Sequence, residues 1–114
     1  MVEIVSLEKI WDHAPHSAFT DLLRVDDGWL CTFREAEAHD IKPSTIRVLR
    51  SDDGEQWSSI AEIIEPNVDL RDPKLSVMPD GRLMLLMGGS TYTDEGRYLT
   101  RSPRVSFSDS GNVW

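Results

Sequence analysis

Two turns of one design constrain this chain more than any other feature. Ser51-Asp52-Asp53-Gly54-Glu55-Gln56-Trp57 and Ser108-Asp109-Ser110-Gly111-Asn112-Val113-Trp114 share Ser, Asp, Gly and Trp in identical register, 57 residues apart. A second match precedes each turn. Leu23-Arg24-Val25-Asp26-Asp27-Gly28-Trp29-Leu30 parallels Leu75-Ser76-Val77-Met78-Pro79-Asp80-Gly81-Arg82-Leu83, with one residue inserted. Two matches in the same order make the chain two copies of one unit, each about 53–57 residues long, a repeat length that signals a stacked architecture.

Each unit reads as strands separated by turns. Alternating or short apolar runs predict strands at 18–25, 29–34, 45–49 and 57–64 in the first copy. The second copy predicts strands at 74–77, 83–87 and 104–108. Asp27-Gly28 and Asp80-Gly81 are hairpin signals, because glycine takes positive φ without steric cost. Pro43, Pro66, Pro73 and Pro79 fall at strand edges or in turns. No stretch carries a sustained 3.6-residue period, so the predicted class is all-β. Residues 2–10 form an extra strand without a partner in their own unit. Borrowing it makes two four-stranded sheets: 1–10 as the outer strand, 11–64 as the first unit and 65–114 as the second.

Composition narrows the function. With 114 residues the chain has room for one small domain. Its 20 Asp and Glu against 12 Lys and Arg give a net charge of −8, and no basic stripe exists to neutralise phosphates, which excludes a nucleic-acid partner. No apolar run reaches the roughly 20 residues that span a bilayer, so no membrane partner is expected. Met1-Val2-Glu3-Ile4 opens without a basic or apolar leader, and the lone Cys31 fits a reducing compartment; together they predict a cytoplasmic location.

In Ser-Asp-x-Gly-x-x-Trp the Ser and Asp side chains accept backbone N–H bonds, Gly supplies positive φ and Trp packs between sheets. This is turn chemistry. An EF-hand reading fails, since Asp52, Asp53 and Gly54 lack the ligand spacing and the closing Glu. His13, His16 and His39 lack metal-ligand spacing, so neither metal nor cofactor is predicted.

The turn at 51–57 resembles an Asp-box, the bacterial neuraminidase repeat of the sialidase superfamily, and 108–114 resembles a second box with Ser110 in place of the usual third Asp. Trp29-Leu30-Cys31-Thr32-Phe33-Arg34-Glu35-Ala36 resembles the second strand and following loop of the first sialidase blade. Arg71-Asp72-Pro73-Lys74-Leu75 resembles the opening of the next blade. The resemblance implies two four-stranded blades, about a third of a six-bladed β-propeller. It also implies an active face opposite the boxes, built from loops 11–17, 35–44, 65–72 and 88–104.

On that face the resemblance places Asp40 as catalytic acid/base and Glu35 as the acidic residue supporting it. His16 stands where the family has its first sialate-binding Arg; Arg34, Arg71, Asp72 and Tyr92 complete the expected substrate-binding set. Arginines that fork a carboxylate and carboxylic acids that protonate a leaving oxygen suit a glycan or anionic sugar. Plainer readings stand beside these: Asp40 as a turn cap before Pro43, Arg71-Asp72 as a local ion pair, and Tyr92 as loop packing.

Two blades leave open sheet faces, so a homotrimer closing a six-bladed ring is expected, with residues 2–10 completing a neighbour's blade. An excised fragment is the competing account. The implied function is a sialidase-like, glycoside-hydrolase-related propeller protein directed at carbohydrate, a glycosidase if active. A non-catalytic, lectin-like glycan binder and a structural fragment are the alternatives.

Overall fold

The computed structural model describes residues 1–40 and 43–114. Seven strands form: β1 (His16–Val25), β2 (Gly28–Ala36), β3 (Thr45–Ser51), β4 (Ser58–Ile63), β5 (Asp69–Val77), β6 (Leu83–Tyr92) and β7 (Tyr98–Ser108). They pair antiparallel into a four-stranded sheet, β1-β2-β3-β4, and a three-stranded sheet, β5-β6-β7. The chain is all-β, and among the described residues no helix is long and apolar enough to cross a membrane.

Side-chain alternation puts Leu30, Thr32 and Arg34 on one face of β2 and Cys31, Phe33 and Glu35 on the other. The first face meets the second sheet. There Leu30, Ile46 and Val48 pack with Val68, Leu70, Leu75, Leu83, Leu85 and Met87. The second face carries a smaller cluster, Cys31, Phe33 and Leu49, with Trp11 and Trp57 against it. Thus Trp114 packs on the core between the sheets, whereas Trp57 packs on the outward face of the first.

Both Ser-x-x-Gly-x-x-Trp turns close as their chemistry requires. Ser51 Oγ accepts from Gly54 N at 2.8 Å, and Asp53 Oδ1 accepts from Glu55 N at 2.8 Å and Gln56 N at 2.9 Å. Trp57 Nε1 donates to Gly54 O at 3.1 Å. In the second turn Ser108 Oγ accepts from Gly111 N at 2.7 Å and Trp114 Nε1 donates to Gly111 O at 2.7 Å. Ser110 stands where Asp53 stands and accepts only from Asn112 N, at 3.2 Å.

Strand direction sorts the connections into two ends. The hairpin turns and the turns at 51–57 and 108–114 lie at one end. The starts of β1 and β5, residues 37–40, 43 and 44 and residues 93–97 lie at the other.

The structure departs from the sequence reading at three places. The expected loop 88–104 is mostly ladder: β6 and β7 stay paired from Leu83↔Ser108 to Tyr92↔Tyr98, leaving a short turn. Gly88, Gly89 and Ser90 read as loop because they are small, yet their backbones pair with Pro103, Ser102 and Arg101. Secondly, β5 begins at Asp69, and Pro73 sits inside it at a bulge between Arg71 and Lys74, where no ladder donor is needed. Thirdly, residues 2–10 form no strand and are exposed, pairing with none of the edge strands of either sheet. They still carry a strand's signature. At an offset of 53, which also superposes Gly28 on Gly81 and Leu30 on Leu83, residues 5–10 fall on β4, with Leu7 on Ile60 and Ile10 on Ile63. Of the loop expected at 35–44, residues 41 and 42 lie outside the described residues.

Candidate functional site

The end away from the turns at 51–57 and 108–114 holds a buried ionic network. Asp69, the first residue of β5, is 2 % exposed and receives two guanidinium groups. Arg34 on β2, fully buried, donates to Oδ1 through Nε at 3.1 Å and Nη2 at 3.0 Å. Arg71 on β5 donates to Oδ2 through Nε at 2.6 Å. Alternation explains the second contact, because residues two apart on a strand share a face. Burial pushes the Asp69 carboxyl up, but hydrogen bonding from Ser44, Arg71 and Arg34 outweighs it and holds the group below the usual carboxylate range. The Ser44 hydroxyl also donates to Leu70 O at 3.2 Å, tying the start of β3 to β5.

The same arginines grip the β2–β3 connection. Arg34 Nη1 donates to Ala38 O at 3.3 Å, and Arg71 Nη2 donates to His39 O at 2.7 Å. The backbone before Asp40 is therefore held by the network. Over it sits an aromatic group. The His39 ring lies 5.6 Å from the rings of both His16 and Phe19. Buried Nδ1 of His16 has no hydrogen-bond partner among the described residues, an arrangement that costs free energy unless a ligand or water satisfies it.

Each inner strand is kinked beside this group. Phe19 (φ 61°) sits in the bulge of β1 and Asp72 (φ 49°) in the bulge of β5. They are equivalent positions at the 53-residue offset, as are His16 and Asp69, the first residues of their strands. A non-glycine residue in the left-handed region costs about 1–3 kcal/mol and persists where surrounding structure enforces it, commonly at functional sites.

The residues anticipated from sequence separate into three groups. Arg71 and His16 come together at the network, with Asp72 exposed in the adjoining bulge. Arg71 pairs with Asp69 and not with its neighbour Asp72, so the expected local ion pair is absent. Arg34 lies fully buried in the same network, holding Asp69 and Ala38 O. Glu35 does not join them. It points to the opposite face of β2, where Oε1 accepts from Arg47 Nε at 2.6 Å and Oε2 from Trp11 Nε1 at 3.0 Å. Asp40 stands on the connection with its side chain 89 % exposed, 3.9 Å from His39 Nε2. Tyr92 lies apart at the end of β6, edge-on to Tyr98 at 6.1 Å.

Phe19 was not singled out from sequence, whereas His39 and Asp69 fall in the loops 35–44 and 65–72 expected on the active face, without an assigned substrate role. The i, i+2 spacing of Asp69 and Arg71 was available as a signal, whereas the approach of Phe19 and His39 depends on the bulge. Among the described residues no group of three His, Cys, Asp or Glu side chains converges as a metal site would. Against protein-family models, curated proteins and solved structures the chain has no match.

Proposed function

We propose that the chain is a two-blade unit of a sialidase-like β-propeller directed at carbohydrate, which holds the carboxylate of an acidic sugar at the Arg71 end. The supporting observation is the way Arg71 is held. Its Nε and Nη2 are fixed by Asp69 and by the His39 carbonyl, while Nη1 has no partner among the described residues. A guanidinium immobilised in this way binds an anion with little further loss of side-chain entropy. Two arginines against one buried carboxylate leave the network one positive charge in excess. Unpartnered His16 Nδ1 adds a hydrogen-bonding group nearby, and the exposed Asp40 and Asp72 can accept from sugar hydroxyls.

Binding is favoured over hydrolysis. Glycoside hydrolysis uses two carboxyl groups flanking the bond. Here Glu35, the acidic residue expected to support Asp40, is pinned on another face. The test is a titration of the ¹⁵N-labelled chain with N-acetylneuraminic acid and glucuronic acid, alongside a fluorogenic sialoside assay. Saturable shifts around His39 and Arg71 that vanish in Arg71→Ala support binding. Turnover abolished by Asp40→Asn would establish the hydrolytic alternative. Silence in both experiments overturns the carbohydrate reading.

Ring assembly belongs to the same proposal. The first sheet turns Cys31, Phe33 and Leu49 outward, with Trp11 and Trp57 packed against them. The second exposes Leu86, Val105 and Phe107. Residues 5–10 repeat the pattern of β4, which favours their use as an outer strand by another copy. Light scattering should give three times the chain mass of 12.9 kDa; the mass of one chain rules the homotrimer out.

A further inference from the structure

Two imidazole rings stand beside Arg71. On the connection that it grips is His39, whose carbonyl accepts from Arg71 Nη2 at 2.7 Å. The His39 ring lies 5.6 Å from the ring of His16, edge-on, and 5.6 Å from that of Phe19. We infer that the acidic-sugar site is proton-linked: His16 and His39 take up a proton as a carboxylate binds at Arg71, so the site tightens as pH falls. The inference rests on the carbohydrate reading and deepens it, because it adds His39 to the site and names what regulates it.

Histidine is the side chain whose ordinary charge change falls between about pH 5 and 8. In the empty site a charged imidazole is opposed. Arg34 and Arg71 against Asp69 leave one positive charge in excess, and a second imidazolium would stand 5.6 Å from the first. The surrounding charges follow from each element in turn. On β1, Asp21 is engaged by Leu75 N. From β2, Arg34 enters the network, whereas Glu35 points to the opposite face and Arg47. From β5 come Asp69 and Arg71, with Asp72 exposed in the bulge. On the connection, Glu37 lines a pocket with Glu35 and Glu62, and Lys42 lies outside the described residues. Ahead of β1, His13 stacks on Trp11, which bonds to Glu35 on that opposite face. Asp40 offers His39 an opposite charge at 3.9 Å, but with its side chain 89 % exposed, water and salt screen the attraction.

A bound carboxylate reverses the balance. It neutralises the excess charge of the arginine network and gives an imidazolium its counter-charge. The His39 side chain is 55 % exposed, so once charged it can donate to the ligand directly. His16 stands behind it, with Nδ1 buried and unpartnered among the described residues, and acts through the charge that it adds. Linkage fixes the sign. A ligand that raises the proton affinity of a group binds more tightly as pH falls through the range in which that group charges. An opposite charge within about 4–6 Å shifts such a group by one pH unit or more, which is about tenfold in affinity for one coupled proton.

The test is calorimetric titration of the whole chain with N-acetylneuraminic acid at about pH 5.5 and about pH 8, on either side of the ordinary histidine range, in buffers of different ionisation enthalpy. Affinity should be about tenfold higher at the lower pH, and the buffer dependence of the heat should report net proton uptake on binding. The methyl ester of the same sugar, which lacks the carboxylate, should show no such gain. His39→Gln should reduce the gain, and His16→Gln/His39→Gln should bring the ratio of the two affinities near one. Equal affinity at both pH values without proton uptake overturns the inference and leaves the carbohydrate reading standing. So does an equal gain with the ester, or a gain that persists in the double variant. No binding at either pH overturns both.

Discussion

Arg34 and Asp69 join the two sheets from opposite sides of the core, Nε and Nη2 of the one donating to Oδ1 of the other at 3.1 and 3.0 Å, with both side chains essentially without solvent. Through this pair the fold of the second sheet positions a connection of the first, because Arg34 also holds Ala38 O.

Breaking the pair on the acidic side is expected to be severe. Asp69→Asn leaves two guanidinium groups facing a neutral amide and should cost about 3–5 kcal/mol in urea unfolding, as removal of one partner of a buried pair does. The same carboxyl makes stability depend on acid. Its folded pKa lies below the ordinary value, so its contribution is complete above the unfolded pKa, about 3.9, and is lost as pH falls through the folded value. Parent protein should lose stability steeply below about pH 4, and Asp69→Asn should show a shallower slope in the same titration.

The turns at 51–57 and 108–114 offer a paired experiment. Asp53 gathers two backbone N–H groups and the Ser51 hydroxyl, whereas Ser110 accepts one. Ser110→Asp should raise the melting temperature and Asp53→Ser should lower it, each by a few degrees, in a calorimetric scan. Equal melting temperatures would mean that the extra acceptor is offset by solvation.

Cys31 should be inert while the chain is folded. Burial, helped by the Asp21 charge, pushes its thiol up to about 11, so almost no thiolate exists at pH 8. A colourimetric disulfide reagent should react slowly with native protein and rapidly in urea. Fast native reaction would show that the face carrying Phe33 and Leu49 opens readily.

The glycines of the two hairpins should respond differently, although sequence aligns them. An added Cβ at Gly28 (φ 150°) would overlap the Ser51 carbonyl, whereas one at Gly81 (φ 87°) meets nothing within 4 Å. Gly81→Ala should cost only the left-handed backbone penalty, about 1–2 kcal/mol, and Gly28→Ala distinctly more. Thermal unfolding of both variants measures the difference.

Sequence by itself determined the all-β class, the division into two antiparallel sheets and the turn chemistry. These follow from local rules: alternation sets strand faces, and a Ser, an Asp and a positive-φ glycine at fixed offsets close a turn whatever surrounds them. The end of the fold that carries Arg71 was also legible, because antiparallel strands send alternate connections to opposite ends. Tertiary structure alone decided which charged residues act together. Arg34 and Glu35 are adjacent in sequence, yet a strand sends neighbours to opposite faces, so one meets Asp69 and the other Arg47. Likewise Phe19 meets His39 from the bulge of β1, and no local pattern reports which partner a buried side chain will find across a second sheet.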